Sequence, residues 1–331
     1  MTPDGTSWNL RAPHAIAALG ECMIEITAGD DGSLQQSYGG DTLNTAVYLA
    51  RLLRNPDTTV DYVTVLGDDP FSQAMLANWQ REGVGTELVR VMKGRLPGLY
   101  WIVTDENGER SFHYWRKEAA ARSLVSGQQD KILTNSLGAC QLVYVSGITL
   151  AILNSRDRAR LLRVLEKIRR QGVRIVFDTN FRPKLWRTVK QAREWMDAVS
   201  NVVDVALVSF EDQRALYADT VPAETCARLA SQGIREIVVK NGAGPCTVSV
   251  GGDTASFEPL RTVKAVDTTA AGDSFNAAYI AARLSGLGIA EAVRAGQSLA
   301  QAVVGHHGAI VPADKTPSLA ALVATDKPAH R

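Results

Sequence analysis

The run Asp267-Thr268-Thr269-Ala270-Ala271-Gly272-Asp273-Ser274-Phe275-Asn276 sets small side chains directly before an apolar stretch of helical period, Gly272–Leu284. Small residues leave backbone N–H groups open, and free amides at a helix N-terminus combine with the helix dipole into an anion site. Such a site suits the charge of a phosphoryl group in transfer. Asp273 then stands where a phosphate would sit, placed to take a proton from an attacking hydroxyl, as phosphoryl transfer to an alcohol requires. A lone Asp in a first turn is more simply a helix acid; the surrounding string is what favours chemistry.

Other chemistries lack their residues. No G-x-x-x-x-G-K-[ST] occurs, and Gly242-Ala243-Gly244 has no third glycine before a helix, which disfavours Walker NTPases and Rossmann dehydrogenases. His306-His307 stands without H-E-x-x-H or C-x-x-C, so a zinc site is not expected, and no G-x-S-x-G suggests an esterase. With 36 basic and 35 acidic side chains the formal charge is +1, which offers nucleic acid no cationic surplus. Ile132–Ser155 is uncharged, but Asn135, Ser136, Gly138, Gln141, Ser146, Gly147 and Thr149 interrupt it, so it reads as helix end, strand and loop rather than a membrane span. Cys22, Cys140, Cys226 and Cys246 are widely separated in apolar segments and read as reduced core thiols. With Asp4 and Arg11 and no signal-type apolar region, they predict a cytoplasmic protein.

The elements that must position these residues follow from periodicity. From Gln141 onward, β-branched runs alternate with helical ones: Leu142–Ser146, Arg156–Arg170, Val173–Asp178, Lys190–Val199, Asp204–Val208, Ala215–Gln232, Ile234–Lys240 and Gly272–Leu284. This predicts an α/β fold with a doubly wound, mostly parallel sheet flanked by helices. In the N-terminal third, Ala15–Leu19 reads as a core strand. Cys22–Thr27, Leu88–Met92, Leu99–Thr104 and Ser111–Trp115 alternate polar with apolar, predicting a small antiparallel sheet with a hairpin turn at Asp105-Glu106-Asn107-Gly108.

The string D-T-T-x-A-G-D-S-F leading into a helix resembles the signature of the ribokinase-like, or pfkB-type, sugar kinases. Gly39-Gly40-Asp41-x-x-Asn44-x-Ala46 resembles that family's N-terminal sugar-binding motif, and Gly67-Asp68-Asp69-x-Phe71 its next landmark, in an order that covers nearly the whole chain. The resemblance implies one kinase domain over 1–331, with the sugar between the sheet and a β-lid built from about 22–38 and 88–116. It also implies ATP and Mg²⁺. Asp273 would be the general base, Ala270, Ala271 and Gly272 the anion hole, and Asp267 and Thr269 the holders of a monovalent cation such as K⁺. Two departures stand out. Ala270 replaces a usual glycine, and its methyl is tolerable only if the backbone avoids a positive φ. Ser209-Phe210-Glu211-Asp212 replaces N-x-x-E, so that the shorter Asp212 would act through water.

Within the family, G-E-C-M-I-E (20–25), R-L-P-G-L-Y (95–100), Y-W-R-x-E-A-A (114–120) and S-G-I-T-L-A-I-L (146–153) resemble the branch that phosphorylates 2-keto-3-deoxygluconate at its terminal hydroxyl. That acceptor carries a carboxylate, which Arg is shaped to bind with two parallel hydrogen bonds. Arg116 and Arg182 are the candidates, with Tyr100 and Tyr114 flanking the substrate. Gly39, Gly40, Asp41 and Asn44 would meet it from the other side. Lys240, Gly242 and Gly244, with Ser209, would serve the nucleotide. Fructokinases also carry D-x-N-x-R (178–182) and an aromatic-Arg lid string; Y-W-R-x-E-A-A and Ala270 favour the keto acid. A retired sugar-binding protein would keep G-G-D yet lose the base, whereas Asp273 and Gly272 remain. An exposed lid edge predicts pairing into a homodimer.

Overall fold

The computed structural model describes residues 8, 14–28, 33–104, 110–260 and 265–324; the turn expected at Asp105–Gly108, like Asp4 and Arg11, lies outside them. The strands are β1 (His14–Leu19), β2 (Met23–Ala28), β3 (Leu34–Gly39), β4 (Thr58–Val63), β5 (Val65–Gly67), β6 (Arg90–Met92) and β7 (Gly98–Thr104). They continue as β8 (Arg110–Trp115), β9 (Leu142–Ser146), β10 (Arg174–Asp178), β11 (Val205–Ser209), β12 (Glu236–Lys240), β13 (Cys246–Val250) and β14 (Asp253–Phe257). The main sheet has the order β14-β13-β12-β11-β10-β9-β1-β4. It is parallel from β4 to β12, and the hairpin β13–β14 closes one edge in antiparallel fashion.

Helices cover both faces, so the strands bury alternate residues in two cores. Ile16, Ala18, Tyr144, Val176, Leu207 and Val238 face one core with helices Asp41–Leu52, Ala271–Leu284 and Ile289–Val304; Ala17, Leu19, Val143, Ile175, Ala206 and Val239 face the other. This two-sided burial explains why the parallel strands read as unbroken apolar runs. All four cysteines are free and buried. No helix among the described residues is long and apolar enough to cross a membrane.

The alternating N-terminal segments form a four-stranded sheet of order β3-β2-β7-β8, with three differences from the expected one. Leu34–Gly39 supplies an additional strand, paired antiparallel with β2. β2 and β7 run parallel, because helices and strands of the main unit intervene and make a crossover of their connection. The segment Leu88–Met92 does not join: its residues Arg90–Met92 pair with β5 in a separate two-stranded sheet, held where the Arg90 amide donates to Thr64 O at 3.1 Å. The single helix read over Ala215–Gln232 is two, Phe210–Tyr217 and Pro222–Ser231, since Ala218 turns left-handed and Pro222, lacking an amide proton, starts the second.

Candidate active site

Ser146, Asp178, Ser209 and Lys240 are each the last residue of a parallel strand, and the register sets Asp178 beside Ser146 and Ser209 beside Lys240. The carboxyl ends of parallel strands are where a doubly wound sheet opens its ligand crevice. Helix Ala271–Leu284 begins at the same end and packs on helix Asp41–Leu52, which brings the two chemistry-bearing motifs together across some 230 residues of sequence. Asn44 Nδ2 donates to Asp273 Oδ2 at 2.8 Å. Thr45 Oγ1 donates to the Asp273 carbonyl at 3.3 Å.

A network of buried polar groups surrounds this contact. Lys240 Nζ donates to Asp178 Oδ2 and to Asn276 Oδ1, both at 2.9 Å; Asn276 Nδ2 donates to Asp178 Oδ2 at 2.6 Å and to the Tyr144 hydroxyl at 2.9 Å. Asn180 Nδ2 donates to Asp41 Oδ2 at 2.9 Å. Burial pushes the Asp273 carboxyl up to about 7, with Asp41 and Asp178 adding to the effect and Asn44 and Lys240 opposing it. Asp41 is raised for the same leading reason. Of this network, Asp178, Asn180 and Asn276, with Tyr144 on β9, were not among the expected site residues. The first two lie in D-x-N-x-R and the third in the signature string, so their only signal was position beside residues already singled out.

At the helix terminus the first intrahelical bond runs from Ser274 N–H to Ala270 O at 2.9 Å, and the Ala271 amide turns back to Thr268 O at 3.3 Å. The Gly272 and Asp273 amides precede the ladder and, as at any helix start, have no acceptor within it. The ideal Cβ position of Gly272 lies 3.5 Å from Lys240 Nζ, which places the ammonium beside those amides. Donors and cation together fit an anionic group. Ala271 is thereby a weaker member of the expected hole than Gly272.

Ala270 does not meet the expectation of a negative φ: it sits at φ 60°, ψ 15°, in the left-handed region. The turn into the helix demands that conformation, and an L side chain there costs about 1–2 kcal/mol. Ala270→Gly is therefore expected to raise Tm by roughly 1–3 °C, the relief being partly offset by the greater freedom of glycine in the unfolded chain. A thermal melt of the two proteins measures it; a lower Tm in the glycine variant would contradict the strain.

The remaining candidates fall into three groups. Thr269 donates from its amide (3.0 Å) and hydroxyl (2.6 Å) to Asp267 Oδ1, and the Gly308 amide donates to Asp267 Oδ2 at 2.9 Å, so this pair ties the signature loop to the segment after helix Ile289–Val304. Ser209 Oγ accepts the Asp212 amide at 3.1 Å as a helix cap. Asp212 Oδ2 accepts the Phe181 amide at 3.0 Å, and burial pushes this carboxyl up to about 6, with Asp178 adding and Arg182 and Lys240 opposing. Asp212 thus holds the turn carrying Asn180 and Arg182. Gly242, at φ 56°, and Gly244 close a turn after β12.

The small sheet carries the third group. The Tyr100 hydroxyl donates to Glu25, whose other oxygen accepts from Ser37 Oγ at 2.6 Å. The Tyr100 and Tyr114 rings lie 5.8 Å apart. Arg116 lies over the Tyr114 ring and donates from Nη2 to the Glu21 carboxylate. A Cβ on Gly39 would collide with the Tyr100 hydroxyl, and one on Gly40 with the Glu21 carbonyl, so the G-G pair is what lets the small sheet close on the helix start. Arg182 is exposed, with Nη1 3.2 Å from the Phe181 carbonyl, and its charge acts on both Asp41 and Asp212.

Comparison with known proteins fits this geometry. A curated 2-dehydro-3-deoxygluconokinase of Dickeya dadantii is 42% identical over 306 residues, covering 92% of this chain and 98% of that one. Its counterpart from Escherichia coli K12 is 41% identical, covering 92% and 99%. The crystal structure of a fructokinase from Xylella fastidiosa with bound ATP superposes with a TM-score of 0.79 at 21% identity, covering 93% and 97%. Residues 13–316 match the pfkB family of carbohydrate kinases, and with its signature loop heading a helix above the carboxyl ends of a parallel sheet, the chain belongs to that family.

Proposed function

We propose that this protein is an ATP-dependent kinase that phosphorylates the terminal 6-hydroxyl of 2-keto-3-deoxy-D-gluconate. The observation that carries the reaction type is Asp273: a buried carboxyl, raised to about 7, standing at helix amides beside an ammonium. The choice of acceptor is supported by the two relatives above 40% identity. Asp273 takes the proton of the attacking hydroxyl while Asn44 holds its carboxylate in place. The Gly272 and Asp273 amides and Lys240 stabilise the phosphoryl oxygens as charge moves onto the leaving group. Asp41, oriented by Asn180, accepts from acceptor hydroxyls. Arg116 and Arg182 bind the acceptor carboxylate, Tyr100 and Tyr114 flank the chain of carbons, and the small sheet acts as a lid that excludes water. Lys240, Ser209, Gly242 and Gly244 border the nucleotide side. Mg²⁺, when bound with the nucleotide, neutralises phosphate charge, and Asp267 and Thr269 are the residues that would hold a K⁺ ion.

Self-association into a homodimer belongs to the same reading. The face of the lid sheet opposite Tyr100 exposes Leu34 and Trp115 (64% and 59%), and with Ile26, Leu99 and Trp101 they line an apolar hollow of about 390 Å³. Four buried thiols suit a reducing cytoplasm.

ADP release with ATP, Mg²⁺ and K⁺ tests the function, comparing 2-keto-3-deoxygluconate, fructose and no sugar. Turnover with the keto acid is expected, and kcat/KM should rise through about pH 7 and level above it, because Asp273 must be ionised to act as base. Turnover of fructose alone would move the protein to the fructokinases, and sugar-induced stabilisation without ADP would leave it a binding protein.

A further inference from the structure

Glu21 and Arg116 come from opposite walls of the site. Glu21 follows β1 of the main sheet, whereas Arg116 follows β8 of the small sheet. They meet as an ion pair whose side chains are almost wholly buried. Two glycines make the space: a Cβ on Gly98 would lie 2.9 Å from Glu21 Oε1 and 3.2 Å from Arg116 Cβ, and one on Gly40 would strike the Glu21 carbonyl. Glu21 Oε1 is buried with no hydrogen-bond partner, so the carboxylate spends itself on Arg116 alone. Burial raises the Glu21 carboxyl, and the Arg116 guanidinium opposes that rise. A buried ion pair gains little stability over apolar packing, so stability alone does not account for its place between the two walls of the site.

We infer that Glu21 is the positioning residue for Arg116, fixing the guanidinium so that its planar fork faces the carboxylate of an acidic acceptor. The inference rests on the reading of Arg116 as the carboxylate-binding residue. A flexible Arg must be ordered each time substrate binds, whereas one held by Glu21 is ordered beforehand, which lowers KM for the acid without touching the phosphoryl step.

A double-mutant cycle in the full-length enzyme tests this, with kcat, KM for 2-keto-3-deoxygluconate and KM for ATP measured for each variant. Glu21→Ala is expected to raise KM for the keto acid roughly tenfold, with kcat and KM for ATP unchanged. Glu21→Gln, which keeps an oxygen for Arg116 Nη2, should restore most of that loss. On an Arg116→Ala background Glu21→Ala should cost nothing more, because Glu21 acts only through Arg116. Losses that multiply would overturn the inference, as would a fall in kcat or a rise in KM for ATP. An Arg116→Ala variant with unaltered KM for the keto acid would instead remove the reading beneath it. If Glu21→Ala does not fold, the cycle is run with Glu21→Gln, where a rise in KM of about twofold that vanishes with Arg116→Ala is the supporting result and additivity the refuting one.

Discussion

Asp273→Asn is expected to lower kcat by a factor of about 10²–10⁴ while raising the melting temperature at pH 8. The two effects share one cause. Burial first, and the charges of Asp41 and Asp178 after it, raise this carboxyl from its ordinary 3.8 to about 7. In the folded chain it therefore holds its proton across a range where the unfolded chain has released it. Stability from such a group is fully present below pH 4 and is lost as pH rises through 7, by an amount on the order of a few kcal/mol. An asparagine keeps an oxygen for the Asn44 amide and never ionises, so its advantage over the parent should grow from pH 5 to pH 8. Melting curves of both proteins across that range provide the check. A difference in Tm that stays flat with pH would mean that Asp273 carries no electrostatic strain, and near-parental kcat would remove it as the base.

The sequence made one half of this site visible and hid the other. Runs such as Leu142–Ser146 and Arg174–Asp178 are buried on both faces, so their composition announces them, and small residues ahead of a helical period announce the amide site at Gly272. Asp178 and Asn276, by contrast, act through partners 62 and 36 residues from them, on Lys240, and no local pattern encodes a meeting of strand ends. The same holds for Gly98, which is needed for room rather than for a turn. Strand pairing failed for a related reason: the alternation in Leu99–Thr104 does mark an exposed face, at Trp101 and Val103, whereas Cys22–Thr27 is covered on both faces, and neither pattern says which neighbour a strand takes or in which direction. At Ala270, as at Ala218, a local rule, no methyl at positive φ, gave way to the demand of the turn.

Lys240 tests whether the hidden half does chemistry or only holds the fold. Lys240→Met removes the ammonium and leaves the Asp178 carboxylate buried, with the Asn276 amide and the Asn180 backbone as its remaining donors. Breaking one side of a buried pair typically costs about 3–5 kcal/mol, so a fall in Tm of several degrees is expected, together with a fall in kcat. Taken alone, that result is ambiguous, because a loosened network would also disturb Asp273. Adding Asp178→Asn resolves it, since the double variant no longer buries an uncompensated charge and the new amide can still accept from Asn276. Its Tm should return most of the way to the parent. If Lys240 is what stabilises the phosphoryl oxygens beside Gly272, kcat in the double variant stays down by about 10²–10³, the usual consequence of removing one donor from a site of developing charge. Recovery of kcat along with Tm would make Lys240 a strut for Asp178, and the anion site would then consist of the helix amides alone.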